Sequence, residues 1–448
     1  MQTRQMHEII HMLYSLLNNS SRFFKGKLFY GWYLCLLFGV IIWIGTSPLF
    51  HAMGIWAVAM ERSFGWTRFQ LSIALSFTRI EGGILGPIEG YLVDKYGVRR
   101  MVFIGLFTTG LGWIFFSQVD NLGSFYLAYM LIAFGQGIGG WLALNTLINN
   151  WFSKRRSFAI GLANSFGRIG ALAIVPLLAW AIDTDVPNRP GWSLTALGLG
   201  IFVVAMAYPL TSLIRNKPEE YGLLPDGNVP EDNKNDSSKT STNPTVDFTV
   251  KEALRTKAFW LISLGHGLTA MVLVTFMLHL APMMIDKSYS LQTASFVVAV
   301  YTGVTMAFQM IGGYVGDKMP KNVALMIFSM FLGIAVLVLV FGSSTLTVAY
   351  IFAALFGIGF GGRNPLASAI RGDYFGRTNF GKIMGMGALP MNFLMVIGPI
   401  YTGYLRDVTG SYFTGFLGLA ACAFLGAFLF LLATKPADPI REGIILRR

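Results

Sequence analysis

Charge is what this chain has least of. Asp, Glu, Lys and Arg make up only 12% of its residues, against about 25% in a soluble globular protein, and that shortage excludes a fully water-exposed surface. Cysteine is almost absent: Cys35 and Cys422 sit in apolar stretches without a spacing motif. A disulfide framework and a thiolate metal site are therefore not expected, and both residues read as packing. No metal-ligand cluster, nucleophile triad or nucleotide fingerprint is present. The glycine runs Gly82-Gly83-Gly86, Gly135-Gly137-Gly139-Gly140 and Gly357-Gly359-Gly361-Gly362 lack the following Lys-Ser/Thr of a phosphate loop. Inside apolar stretches they serve close helix packing and bending. The chain does not read as an enzyme, and no cofactor is expected.

Hydrophobic length is what the chain has in excess. Of its 448 residues 54% are hydrophobic and the mean hydropathy is +0.58. Runs of about 18 or more apolar residues are candidates to cross a bilayer. They occur at about 29–58, 70–93, 101–119, 125–151, 157–182, 192–214, 258–283, 291–316, 323–341, 345–370, 382–405 and 413–434. The expected fold class is an all-α membrane protein with twelve transmembrane helices in two six-helix bundles, and twelve spans put both termini on one face.

The basic residues say which face. Of 34 Lys and Arg, five fall in the loops of one face (Arg62, Arg68, Arg189, Lys287, Arg406) and three inside spans (Arg79, Arg168, Arg363). The other 26 lie on the opposite face with the termini. By the positive-inside rule that face is cytoplasmic, so the net charge of +12 is a topology signal and implies no nucleic-acid partner. Residues 1–28 form a cytoplasmic segment without a cleavage site for a leader. Its Ile9, Ile10, Leu13, Leu16 and Leu17 fit either a surface helix or a disordered extension. Residues 215–257 are too polar to bury a core and read as a linker between bundles 29–214 and 258–434. Its end at 246–254 reads as a short capped amphipathic helix, and 435–448 as a cytoplasmic tail.

One loop carries a spaced motif. Gly90-Tyr91-Leu92-Val93-Asp94-Lys95-Tyr96-Gly97-Val98-Arg99-Arg100 lies between the second and third spans, and Gly312-Gly313-Tyr314-Val315-Gly316-Asp317-Lys318 repeats it half a chain later. Two copies imply a fold of two related halves. The glycines permit a tight turn and close helix approach, so Asp94 is expected to engage a neighbouring helix end as a latch that breaks when the halves rock.

This signature, its copy at Asp317 and the six-plus-six layout resemble the major facilitator superfamily across essentially the whole chain. Phe29-Tyr30-Gly31-Trp32, Pro218-Glu219-Glu220-Tyr221-Gly222 and Leu254-Arg255-Thr256-Lys257-Ala258-Phe259-Trp260 are similar to the bacterial monocarboxylate-transporter and oxalate/formate-antiporter branch. The resemblance implies a monomer that works by alternating access. It also locates the departures. The branch's substrate-pairing Arg of span 8 is here Gln309, and the acid of the animal monocarboxylate transporters is Thr305. The Lys of span 11 falls near Gly387, the Lys of span 1 near His51, and the Arg of span 4 proton antiporters is Ala133.

Buried charges elsewhere are the functional candidates, because they are expensive in a bilayer. Arg363 lies ten residues before Asp373, about 15 Å into the membrane at about 1.5 Å per residue, and Arg168 in span 5 reaches a similar depth. A guanidinium from each half suits a small carboxylate, which it can hold by a bidentate fork. Structural pairing with carbonyls or acids is the plain alternative. Glu81 and His51 are candidates for carrying a proton, while Glu89 reads as half of a structural ion pair. His51, His266 and Gln309 complete the expected substrate contacts. The expected activity is transport of a small organic anion, a monocarboxylate, with proton symport favoured over exchange, in the plasma (inner) membrane. An exporter of an uncharged or amphiphilic compound and a non-transporting sensor are the alternatives.

Overall fold

The computed structural model describes residues 29–50, 52–66, 70–71, 82, 84–182, 189–227, 247–289, 291–342 and 345–438. Every regular element among them is a helix, as backbone groups in hydrocarbon require when no closed barrel forms. Nine helical segments among the described residues are each long and apolar enough to cross a membrane. Span 1, the described part of span 2 (Gly86–Tyr96) and span 5 (Arg156–Ile182) complete the twelve.

Several spans are interrupted, and the sequence supplies the reasons. Span 1 comprises Tyr30–Gly45, Ser47–Phe50 and Met53–Phe64. Its first break precedes Pro48, which has no N–H to return to the preceding turn. Span 4 begins at Asn121, whose side chain accepts from Ser124 N in a capping box, and runs over Leu122–Gly139 and Trp141–Trp151. It is divided at Gly140, whose backbone leaves the helical region at φ −95° and ψ −131°. Spans 3 (Val98–Phe116) and 6 (Gly191–Ser212) complete the first bundle. Gly97 turns the chain between spans 2 and 3 at φ +83°, a conformation that favours glycine.

The second bundle contains spans 7 (Lys257–Asp286), 8 (Leu291–Lys318), 9 (Lys321–Phe341), 10 (Leu346–Phe375), 11 (Phe380–Thr409) and 12 (Phe413–Leu432). A short helix, Val250–Leu254, leads into it and is capped reciprocally by Thr249 and Glu252. Each bundle has its own core: Leu34, Phe38, Leu106, Leu147 and Trp151 in the first, Val272, Phe276, Phe352, Phe356 and Phe416 in the second. Between bundles, span 2 packs along span 11 and span 5 along span 8.

One sequence boundary is corrected. Span 10 was expected to end at residue 370, with Arg371 in a loop; the helix continues to Phe375 and Arg371 is buried. The apolar run stops where Arg371 and Asp373 begin, but the backbone hydrogen bonds continue while both side chains find partners.

Candidate functional site

Arg363 is the centre of the buried polar layer. Its side chain is 1% exposed, and Nη1 donates to Thr269 Oγ1 of span 7 at 2.7 Å. Its Nε has no partner, and among the described residues no carboxylate lies within ion-pair distance. A guanidinium left this way in low dielectric is costly, which makes it receptive to an anion that supplies both charge and acceptors.

Arg168 approaches the same helix from the other bundle. Its guanidinium lies 5.3 Å from the centre of the Phe360 ring, and Phe360 is one turn from Arg363. Tyr301 of span 8 lies within its electrostatic reach. Spans 5 and 8 are also joined here by polar contacts: Ser165 Oγ donates to Met306 O at 2.9 Å and lies 3.4 Å from Gln309 Oε1. Gln309 is fully buried and its Nε2 has no partner. Thr305 spends its hydroxyl on Tyr301 O at 2.7 Å.

His266 is buried on span 7, one turn from Thr269. Its Nδ1 lies 3.5 Å from Nη1 of Arg371, so it stands beside an arginine that the sequence reading did not select. Arg371 Nη1 also donates to Ala367 O at 2.5 Å. The signal for it existed: Arg371 is two turns past Arg363 on one helix. His51, Glu81 and Arg79 lie outside the described residues. Glu89 is buried on span 2.

The repeated motif lies at the face that carries most basic loops. Asp94 accepts from the N–H groups of Gly381 and Lys382, at 3.1 and 2.9 Å, in the first turn of span 11. Asp317 accepts from those of Ser157 and Phe158, both at 2.9 Å, in the first turn of span 5. Each acid thus caps a helix of the opposite bundle, where the free N–H groups and the helix dipole favour a negative charge. Lys95 lies over Tyr91 and Tyr96 at 5.4 and 5.3 Å, and Lys318 over Tyr314 at 5.8 Å. Arg99 N donates to Asn216 Oδ1 at 2.9 Å, tying span 3 to the end of span 6. Arg100 is exposed.

Below Gly90 the helices touch backbone to backbone, and a methyl group there would overlap the Gly381 carbonyl. The other crossing adds ions: Asp373 pairs with Arg156 Nη1 and with Lys321 Nζ, each at 2.5 Å. Asp317 lies 3.9 Å from the same Lys321. Arg377 donates to Asn150 O at 2.8 Å and to Glu219 at 3.0 Å. The polar layer around Arg363 is therefore sealed from the basic face.

Comparison with known proteins places this arrangement. The family model described as Major Facilitator Superfamily matches residues 33–321 and 262–444. The chain is similar to human monocarboxylate transporter 11, at 26% identity over 354 residues covering 77% of this chain and 70% of that protein. It is similar to monocarboxylate transporter 13 of Bos taurus, at 27% over 385 residues covering 80% and 81%. The oxalate:formate antiporter of Oxalobacter formigenes is 25% identical over 227 residues, 51% of this chain and 49% of that one. Two solved structures share the fold at a TM-score of 0.67 each: the E. coli fucose:proton symporter, at 16% identity over 90% of this chain and 98% of its own, and the human organic anion transporter MFSD10, at 12% over 90% and 99%. The paired helix caps, the two bundles and the family match lead to one conclusion: this integral membrane protein belongs to the Major Facilitator Superfamily and is a transporter, not an enzyme.

Proposed function

We propose that this transporter moves a small organic anion, a monocarboxylate, by alternating access, with proton symport as the favoured coupling. The observation that carries the reading is Arg363: buried, bonded to one hydroxyl, and without a carboxylate partner among the described residues. A carboxylate is the ligand that satisfies such a group. Arg168, reaching the neighbouring turn of span 10 from the other bundle, is the second cationic contact, with His266 and Gln309 as polar contacts. The names of the relatives, monocarboxylate transporters and an oxalate:formate antiporter, support a small carboxylate. In this reading Asp94 and Asp317 release their caps when the basic face opens. Glu81 and His51 are the proposed proton carriers. The protein works as a monomer in the plasma membrane with its basic face cytoplasmic.

Uptake of labelled lactate, pyruvate, acetate and oxalate into proteoliposomes, with and without an inward proton gradient, tests the proposal. Gradient-stimulated uptake that Arg363→Gln abolishes is the expected result. An intact Arg363→Gln transporter overturns the assignment of Arg363. Uptake of none of the four under any gradient overturns the carboxylate reading and favours an uncharged ligand.

A further inference from the structure

Span 10 buries a second guanidinium for which the site just described has no use. Arg371 is 3% exposed and lies eight residues past Arg363, about 12 Å along the helix toward the basic face. Its protein contacts are the Ala367 carbonyl and one His266 nitrogen. Neither carries negative charge, and no carboxylate lies within ion-pair distance among the described residues. Arg363 and Arg371 are within electrostatic reach of each other, and His266 is within reach of both. The two cations repel, and the protein leaves that repulsion uncompensated.

The surroundings of Arg371 hold a second donor without an acceptor. Ser263 on span 7 is fully buried with its hydroxyl unpartnered. A Cβ placed on Gly387 of span 11 would lie 3.0 Å from that hydroxyl and 3.4 Å from Nε and Nη2 of Arg371. Even a methyl group there would crowd both, so in this conformation the guanidinium and the hydroxyl converge on the bare backbone of Gly387, and a guest enters between them only as span 11 moves away. Both are hydrogen-bond donors, and an anion is the species both can serve.

We propose that Arg371, with Ser263 and His266, is a second anion-binding position, which receives the substrate carboxylate from Arg363 on its way to the basic face. The proposal rests on the carboxylate reading above. In the conformation described the caps at Asp94 and Asp317 seal this position; opening that face exposes it while Arg363 remains one step deeper. Substrate passes between two cationic stations, neither of which must release it into an apolar gap.

Counterflow of labelled lactate and acetate in proteoliposomes tests this, using wild type, Arg371→Gln, Arg371→Lys and the double variant Arg371→Gln/Gly387→Lys. Thermal stabilisation of each purified variant by the same anions reports binding separately. Arg371→Gln is expected to retain stabilisation by the anion, through Arg363, yet lose counterflow about tenfold or more, as one charge-assisted contact dictates. Arg371→Lys keeps most of the rate, and the Lys at position 387 restores part of it by returning a cation to the same neighbourhood. Wild-type counterflow in Arg371→Gln overturns the proposal. So does a loss that neither cationic variant repairs, since that marks a purely structural arginine. Should Arg371→Gln fail to fold, Ser263→Ala decides, with a severalfold loss of counterflow expected and an unchanged rate counting against the second position. Absence of lactate and acetate movement in wild type overturns the carboxylate reading itself and this position with it, a result distinct from failure at Arg371 alone.

Discussion

The crossing of spans 2 and 11 and that of spans 5 and 8 follow one plan with different reinforcement. In each, an acid at the end of one helix caps the first turn of a helix in the other bundle. At spans 2 and 11 the rest of the contact is glycine against glycine, Gly86 and Gly90 facing Gly385 and Gly381. At spans 5 and 8 the same close approach recurs, Gly161 against the Gln309 carbonyl and Gly313 against that of Ser157. Ionic and polar contacts are added to it, with Arg156, Lys321 and Asp373 on one side of Asp317 and Ser165 with Gln309 on the other. Both crossings depend on shape, and the second adds charge. Sequence repetition alone does not disclose this, because the two motifs share the Gly-Tyr-x-x-Asp-Lys pattern while the residues they meet differ.

The largest effect separates shape from charge. Gly90→Leu places a side chain where the Gly381 carbonyl already lies, so the basic face cannot close and turnover falls about 100-fold or more, equivalent to about 3 kcal/mol. Proteoliposome uptake measures it, with labelling of a cysteine introduced at the crossing as the readout of closure. A wild-type rate would show that the close approach has no part in the cycle. The next effect falls on the ionic crossing: Asp373→Asn leaves Arg156, with its side chain 4% exposed, beside Lys321 without their shared acid. Since Asp373 is itself 30% exposed, the cost is expected at about 2 kcal/mol, below the roughly 3–5 of a fully buried pair. Spin-label distances across spans 5 and 8 should lengthen while those across 2 and 11 hold. The smallest effect is a difference between the two caps. Asp317→Asn and Asp94→Asn each lose two charge-assisted bonds, but only Asp317 has a described cation within 4 Å. Asp317→Asn should therefore open its crossing further, by about 1 kcal/mol; the reverse order would sink the charge argument.

The fold class was legible because bilayer length and the basic-loop bias are coarse, redundant signals that survive local irregularity. Breaks at Thr46 and Gly140 were not read, since apolar composition does not report hydrogen-bond continuity. The acids at positions 94 and 317 could be selected from spacing, whereas their partners are backbone groups with no identity in the sequence. Arg363 stood out as a charge deep in an apolar run. Arg371 escaped for a physical reason: hydropathy marks where lipid contact ends, and a helix buried between two bundles continues beyond that point. Ser263 and Thr269 carry no signal at all, because a hydroxyl within an apolar helix most often bonds back to its own backbone, as Thr269 also does to Gly265.

The contact between Gly90 and Gly381 bears on leakage. Side chains that meet across a seam can rotate apart and admit a file of water, whereas two peptide backbones in direct apposition have no rotamer to yield. Such a seam offers water and ions no side-chain gap at this contact. Under the proton coupling proposed above, that insulation would let the gradient drive substrate without a parallel leak.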